Sequence, residues 1–237
     1  MRTAVIIPAR LASTRLPRKA LADIHGKPAI QWVYERSKAA KLVEEVFVAT
    51  PDEELKDVVE GFGGKVILTG PAPTVLDRCS IAAEELLEFE HLVVVQGDEP
   101  TIRPEMVDMV AECRSNIACL VKKVTRKEAE DQNTVKAVMD SAGFFIYLSR
   151  SVIPGGSPEG DYNATPEYYK QVCVMGFHPS MLKVFKNFPM GPLEKSEGID
   201  LLRYLEQGRF ILSRETGYVT QALDTQADLE KIRRILA

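Results

Sequence analysis

An α/β fold on a doubly wound, mostly parallel sheet, with an antiparallel extension in its second half, is predicted by three observations. Short apolar runs alternate with helical patterns through the first half of the chain. Those runs are continuous, as in His91-Leu92-Val93-Val94-Val95-Gln96, where a half-solvated strand would alternate apolar with polar. The second half then breaks the rhythm with two strand-like runs placed close together.

Taken in order, strands over 4–7, 46–49, 66–68 and 92–95 are each followed by a helix, over 30–41, 53–62, 77–88 and 104–114. Residues 134–140 and 144–150, joined by Ser141-Ala142-Gly143, read as a hairpin. The Gly, Pro, Asp and Asn content of 155–166 reads as a long loop. A strand over 171–177, a helix over 197–207 and a closing helix over 225–236 complete the chain, with Thr225 or Asp224 placed to cap the last. At 237 residues one α/β domain, 1–237, is sufficient.

Hydrophobic residues make up 45% and charged residues 27%, enough for a sizeable core. A net charge of −4 argues against a broad basic surface for nucleic acid. Cations are nevertheless concentrated in one place, because the first strand is followed by Arg10, Arg15, Arg18 and Lys19. Pro8 and Pro17 stiffen the ends of that segment and Ser13 and Thr14 add hydroxyls, so the segment is a shaped loop suited to a polyanion. The four cysteines, Cys79, Cys113, Cys119 and Cys173, have no metal-like spacing and are expected to be reduced packing residues. None of His25, His91 and His178 sits in a nucleophile–base pattern. No apolar run approaches the roughly 18 residues needed to span a bilayer, and no signal-like start is present, so a cytoplasmic location without a membrane partner is expected.

In an open α/β sheet ligands bind beyond the carboxyl ends of the strands. The cationic loop follows the first strand and Gln96-Gly97-Asp98-Glu99-Pro100 follows the fourth, so both should face one cleft. Gly97 permits a tight turn and Pro100 ends the strand, leaving the Asp98 carboxylate at its tip. Asp224 is open to two readings, a cap on the last helix or, with Asp98 and phosphate oxygens, half of a hard oxygen site for Mg2+.

These motifs resemble the CMP-Kdo synthetases, the cytidylyltransferases that activate 3-deoxy-manno-octulosonate (Kdo). The resemblance is carried by IIPARLASTRLPRKAL, GKPAIQWVYERSKAA, VVVQGDEP, YLSRSVIP and LDTQADLEKIRRIL, and extends over nearly the whole chain. It implies a Rossmann-like nucleotidyltransferase fold and transfer of CMP from CTP to a hydroxyl of an acidic sugar, with loss of pyrophosphate. Arg10, Arg15 and Lys19 would grip the triphosphate, and Ala9 and Arg78 would lie near the cytosine. Lys19, Arg10 and Asp98 would be catalytic, and Asp98 and Asp224 would bind Mg2+. Gln96 would lie between nucleotide and acceptor, and Arg150, Lys170, Gln171 and Asp200 would face the acceptor. A homodimer is also implied.

Departures from the family cluster on the acceptor side. Ala72-Pro73-Thr74-Val75-Leu76-Asp77-Arg78 stands where the family usually reads His-x-Ser-Gly-Thr-Asp-Arg. Lys170-Gln171 stands for Arg-His, and Ile199-Asp200-Leu201-Leu202-Arg203 for Leu-Glu-Gln-Leu-Arg. Thr74-Val75-Leu76 and Leu201 are expected to make the pocket more apolar, with Lys170 and Arg150 still offering cations to an anionic acceptor. Kdo itself is then expected to be a poor substrate beside a less hydroxylated or differently substituted acid. Two alternatives are the same chemistry on another acidic or phosphorylated acceptor, and a nucleotide-binding relative without catalysis.

Overall fold

The computed structural model describes residues 2–13, 15–156 and 166–237. In chain order, β1 (Thr3–Pro8) precedes a small hairpin of β2 (Asp23–Ile24) and β3 (Lys27–Pro28), then α1 (Ala29–Lys38), β4 (Glu45–Thr50), α2 (Glu53–Gly61), β5 (Lys65–Leu68), α3 (Val75–Ala82), β6 (His91–Val95) and α4 (Pro104–Ala111). The second half supplies β7 (Ile117–Val124), α5 (Arg126–Ala129), β8 (Lys136–Met139), β9 (Phe145–Ser149), β10 (Tyr168–Phe177), α6 (Pro179–Val184), α7 (Pro192–Glu197), α8 (Leu201–Glu206), β11 (Leu212–Glu215) and α9 (Gln226–Ile235).

Among the described residues nine strands form one mixed sheet in the order β11-β7-β10-β6-β1-β4-β5, with β8 and β9 added from β10. Along that path β1/β4, β1/β6, β4/β5 and β7/β11 are parallel, and only the two ladders made by β10 are antiparallel. The expected mostly parallel sheet with an antiparallel extension is therefore present, and β8 and β9 are the expected hairpin.

Alternation of side chains sorts the two layers. Ala4, Ile6, Leu92 and Val94 face a cluster shared with Leu76, Cys79, Phe185 and Tyr204. Val5, Ile7, Val93 and Val95 face the opposite cluster, shared with Ile30, Val33, Leu55 and Met106. Both faces of β1 and β6 are thus covered, which is why these strands read as unbroken apolar runs.

Some elements depart from expectation. The helix expected over 77–88 becomes α3 followed by a 3-10 turn at Ala83–Glu85. The helix expected over 197–207 is interrupted by Gly198, in the left-handed region at φ 62°, which closes α7 before α8 begins. β7 and β11 were not foreseen: an Ala- and Cys-containing run is ambiguous between helix and strand, and Leu212–Glu215 is short and polar. The loop expected over 155–166 lies outside the described residues at 157–165, as does Thr14.

Candidate functional site

The strand order reverses at β1, with β4 on one side and β6 on the other, and the loops leaving β1 and β6 start side by side. They touch through Gly97, whose N–H donates to the Pro8 carbonyl at 3.3 Å. A Cβ at Gly97 would lie 2.9 Å from that oxygen, so only glycine permits the approach. The cationic loop is closed by Arg18 N–H donating to Leu11 O at 3.3 Å and anchored by Leu11 N–H donating to Asp52 Oδ2 at 2.7 Å.

Arg18 itself turns away. Its backbone is left-handed at φ 57° and its guanidinium binds Glu54, so three of the four loop cations face the cleft. Arg10, Arg15 and Lys19, the three expected to grip the triphosphate, line the cleft, and Arg18 does not. The turn at Arg18 aims Lys19 inward, where its Nζ lies 2.5 Å from Asp98 Oδ2 and 3.1 Å from Asp224 Oδ1. Arg15 reaches the same Asp224 oxygen at 3.0 Å. Burial works against the charge on Lys19, but attraction to Asp98 and then Asp224 outweighs it and holds the ammonium above lysine's ordinary range.

The cap reading of Asp224 is settled by its neighbour. Thr225 caps α9, with its hydroxyl accepting from Asp228 N–H at 3.2 Å and the Asp228 carboxylate accepting from Thr225 N–H at 2.9 Å. The Asp224 side chain is therefore released toward Lys19. Leu223 N–H donates to Asp98 O at 2.7 Å, and Leu223, Leu229 and Ile232 pack with Ile24 and Ala29, so α9 delivers Asp224 to the tip of β6. Two carboxylates converging on one ammonium form the hard oxygen set that suits Mg2+ once phosphate oxygens join, so the residues fit that ion.

Behind them lies Glu99, buried, with Oε2 lacking a hydrogen-bond partner among the described residues. Burial, with repulsion from Asp98, pushes its carboxyl up to about 7.

Ala9, Arg10, Arg15, Lys19, Arg78, Gln96, Asp98, Asp200 and Asp224 all line one cavity of about 990 Å3. Arg78 is buried and donates to Thr69 Oγ1 at 2.5 Å. Burial lowers its pKa below arginine's ordinary value, with Arg10 adding repulsion, yet a guanidinium keeps its proton. A buried cation without a carboxylate salt bridge among the described residues calls for a polar or anionic ligand in the cavity.

The acceptor side differs more from expectation. Ala72, Pro73, Thr74 and Val75 line the cavity, but Leu76 and Leu201 are core residues, because α3 and α8 turn them toward the sheet. Arg150, Lys170 and Gln171 are not among the lining residues. Lys170 and Gln171 lie within β10, where Lys170 pairs with Lys122 and Lys136 and Gln171 with Val121. Arg150 is bound to backbone carbonyls. In their place stand residues that the sequence did not single out, Met190, Glu194, Lys195 and Gly198. Glu194 is fixed by Arg203, whose guanidinium also binds Asp77, with all four bonds between 2.6 and 3.1 Å. Asp77 and Glu194 carry no local sequence signal, since their partner lies on another helix. Asp200 Oδ2 accepts from Leu76 N–H at 2.9 Å, and burial raises its pKa.

A cation-lined cavity at the switch point of a mixed α/β sheet, with two carboxylates at its floor, defines a nucleotide-handling transferase. The chain belongs to the cytidylyltransferase family, which it matches over residues 4–216, and within it to the CMP-Kdo synthetases. It is 38% identical to the 3-deoxy-manno-octulosonate cytidylyltransferase of Thermodesulfovibrio yellowstonii, covering 100% of this chain and 98% of that one. It is 37% identical to the 8-amino-3,8-dideoxy-manno-octulosonate cytidylyltransferase of a Shewanella species, covering 100% and 99%. A solved CMP:2-keto-3-deoxy-manno-octonic acid synthetase complexed with CTP superposes with a TM-score of 0.90 at 34% identity, covering 100% and 98%.

Proposed function

We propose that the protein transfers CMP from CTP to a hydroxyl of Kdo or a closely related ulosonic acid, with Mg2+ and with release of pyrophosphate. The observation that carries this reading is the convergence of Lys19, Arg15, Asp98 and Asp224 within a cavity also lined by Arg10 and Arg78.

Arg10, Arg15 and Lys19 neutralise and orient the triphosphate so that its α-phosphorus faces the acceptor. The acceptor hydroxyl attacks the α-phosphorus in line, its oxygen forming the new P–O bond and its proton passing to solvent, and pyrophosphate leaves with the electrons of the broken P–O bond. Lys19 and the arginines stabilise the charge on the phosphate oxygens during that exchange. Asp98 and Asp224 would hold Mg2+, which when bound screens the phosphates and polarises them. Arg78 and Ala9, which line the cavity, would lie near the base, and Gln96, also on its lining, would lie between nucleotide and acceptor.

Asp200 favours a second reading of the acceptor. Its half-buried carboxylate borders the cavity and forms no salt bridge among the described residues, a site suited to an ammonium group. An amino-substituted ulosonic acid, as named for the Shewanella relatives, would supply one. Phosphate contacts are the same in either case.

Pyrophosphate release with CTP, Mg2+ and a panel of Kdo, 8-amino Kdo and phosphorylated acids tests the proposal. Turnover with either ulosonic acid supports it, and turnover with none, or equal turnover with UTP, ATP or GTP, overturns it. A Kdo specificity constant of about 10⁴ M⁻¹s⁻¹ or above would make Kdo an ordinary substrate.

A cytoplasmic homodimer is part of the same proposal. Among the described residues no helix is long and apolar enough to cross a membrane. Ile146 on β9 and Phe210 before β11 are 62% and 75% exposed, and Phe210 meets Phe144 edge to face at 5.8 Å, so an apolar patch lies on the antiparallel extension. A sedimentation mass equal to the 26.4 kDa chain at micromolar concentration would remove the dimer.

A further inference from the structure

Arg150 presents a specific conflict. The resemblance places it toward the acid substrate, yet its side chain is held at the end of α7. Nε donates to Glu197 O at 2.7 Å, one terminal nitrogen to Gln132 O at 3.1 Å and the other to Gly198 O at 3.4 Å. Its backbone is fixed as well, because Arg150 N–H donates to Glu197 Oε2 at 2.8 Å. The Arg150 carbonyl accepts from Lys136 Nζ at 2.6 Å. Lys136 is fully buried, and its other two bonds go to the carbonyls of Asp131 and Thr134, so the base of the Arg150 side chain is rigid.

The segment that Arg150 grips is the acceptor-side wall. α7 contributes Glu194 and Lys195 to the cavity, and Gly198 and Asp200 follow directly. With six residues α7 is too short to persist on its own propensity, so its position depends on what pins it. Glu206 pins the first turn, accepting from Leu193 N–H at 2.9 Å and Glu194 N–H at 3.2 Å. Arg203 pins the middle through Glu194. Arg150 pins the last turn, where a cation also complements the unpaired carbonyls of a helix C-terminus. Immediately beyond, Gly198 reverses the chain in the left-handed region and leads to Asp200.

We propose that Arg150 is a positioning residue of the acceptor half, acting through Glu197 and Gly198 to hold the wall from Glu194 to Asp200, and not a group that touches the substrate. This rests on the assignment of that half of the cavity to the acceptor. The guanidinium fork reaches three carbonyls at once, and a lysine ammonium, although equally charged, cannot span them.

Hydrogen exchange in the free protein and steady-state kinetics test it together, with wild type, Arg150→Ala and Arg150→Lys. The expected result is exchange about tenfold faster or more at the Lys195 and Gly198 amides in both variants, with the Leu229 amide in α9 unchanged. Acceptor KM should rise about tenfold or more in both, with CTP KM within about twofold of wild type. Wild-type exchange at Gly198 in Arg150→Ala, or a wild-type acceptor KM in Arg150→Lys, would overturn the proposal in favour of direct charge contact. Should Arg150→Ala fail to fold, Arg150→Lys carries both readouts. The exchange measurement uses no substrate, so it stands or falls separately from the cytidylyl-transfer assignment.

Discussion

The two ends of the cavity handle charge in opposite ways. At the triphosphate end the charged groups are partly open to solvent: Arg15 is 56% exposed and Lys19 22%, and Arg10 forms no ion pair among the described residues. At the acceptor end Arg203, Asp77 and Glu194 are almost wholly buried and neutralise one another. Attraction to Glu194 and Asp77 more than offsets the burial that would otherwise lower the Arg203 pKa, and so raises it. Groups that bind a highly charged ligand must keep capacity for it, whereas groups that shape a wall must be satisfied beforehand. On the proposed function, charge at the first end serves binding and rate, and at the second it serves stability and shape.

Five expected outcomes sharpen or break that contrast. Asp98→Asn and Asp224→Asn should lower pyrophosphate release about 10³-fold or more, since each removes a charge proposed to hold Mg2+ while keeping the side chain's size. Unchanged turnover in either variant would break the assignment of that end. Arg203→Met should instead lower stability by about 3–5 kcal/mol in denaturant titration, because two carboxylates are left buried and unpaired. Arg10→Ala should change stability by no more than about 0.5 kcal/mol while weakening CTP. A stable Arg203→Met protein would show that the wall does not depend on its buried ions.

The fourth outcome concerns pH. His91 is buried, neither ring nitrogen has a partner among the described residues, and burial, with repulsion from His178, lowers its pKa from 6.5 to about 4. The unfolded chain then takes up a proton that the folded chain refuses, so its contribution to stability is complete above about pH 6.5 and is lost as pH falls toward 4. The loss should reach about 3 kcal/mol at most and should vanish in His91→Phe. An unchanged pH dependence in that variant would remove His91 as its source. The last, Thr225→Ala, is expected to cost about 1 kcal/mol through the α9 cap, with the Mg2+ dependence of turnover unchanged. A shifted Mg2+ requirement would mean that cap and metal functions are not separated between Thr225 and Asp224.

Legibility followed the same division. The cations of the loop and the acid of Gln96-Gly97-Asp98 lie in short contiguous motifs at strand ends, so their meeting in one cleft could be read from alternation alone. The acceptor wall could not. Glu194 and Lys195 look like ordinary residues of a polar helix, and Leu76 and Leu201 look like altered pocket residues until α3 and α8 are seen to turn them into the core. Arg150 was placed correctly at the end of a hairpin strand but not in its direction, because a side chain's partners depend on which element packs beside it.

Continuous apolar runs determined the parallel sheet by themselves, since strands covered on both faces have no other use for such sequences. Gly97, Pro100 and the loop cations likewise determined, from local chemistry, that cations and an acid line one cleft. Only the tertiary structure decided that Arg18 turns to Glu54, that Thr225 caps α9, and that Asp224 comes to share Lys19 with Asp98 across more than half the chain. The physical reason is range. Periodicity and turn chemistry act over a few residues, whereas the position of Asp224 is set by the packing of α9 against Ile24 and Ala29, a contact that no local pattern encodes.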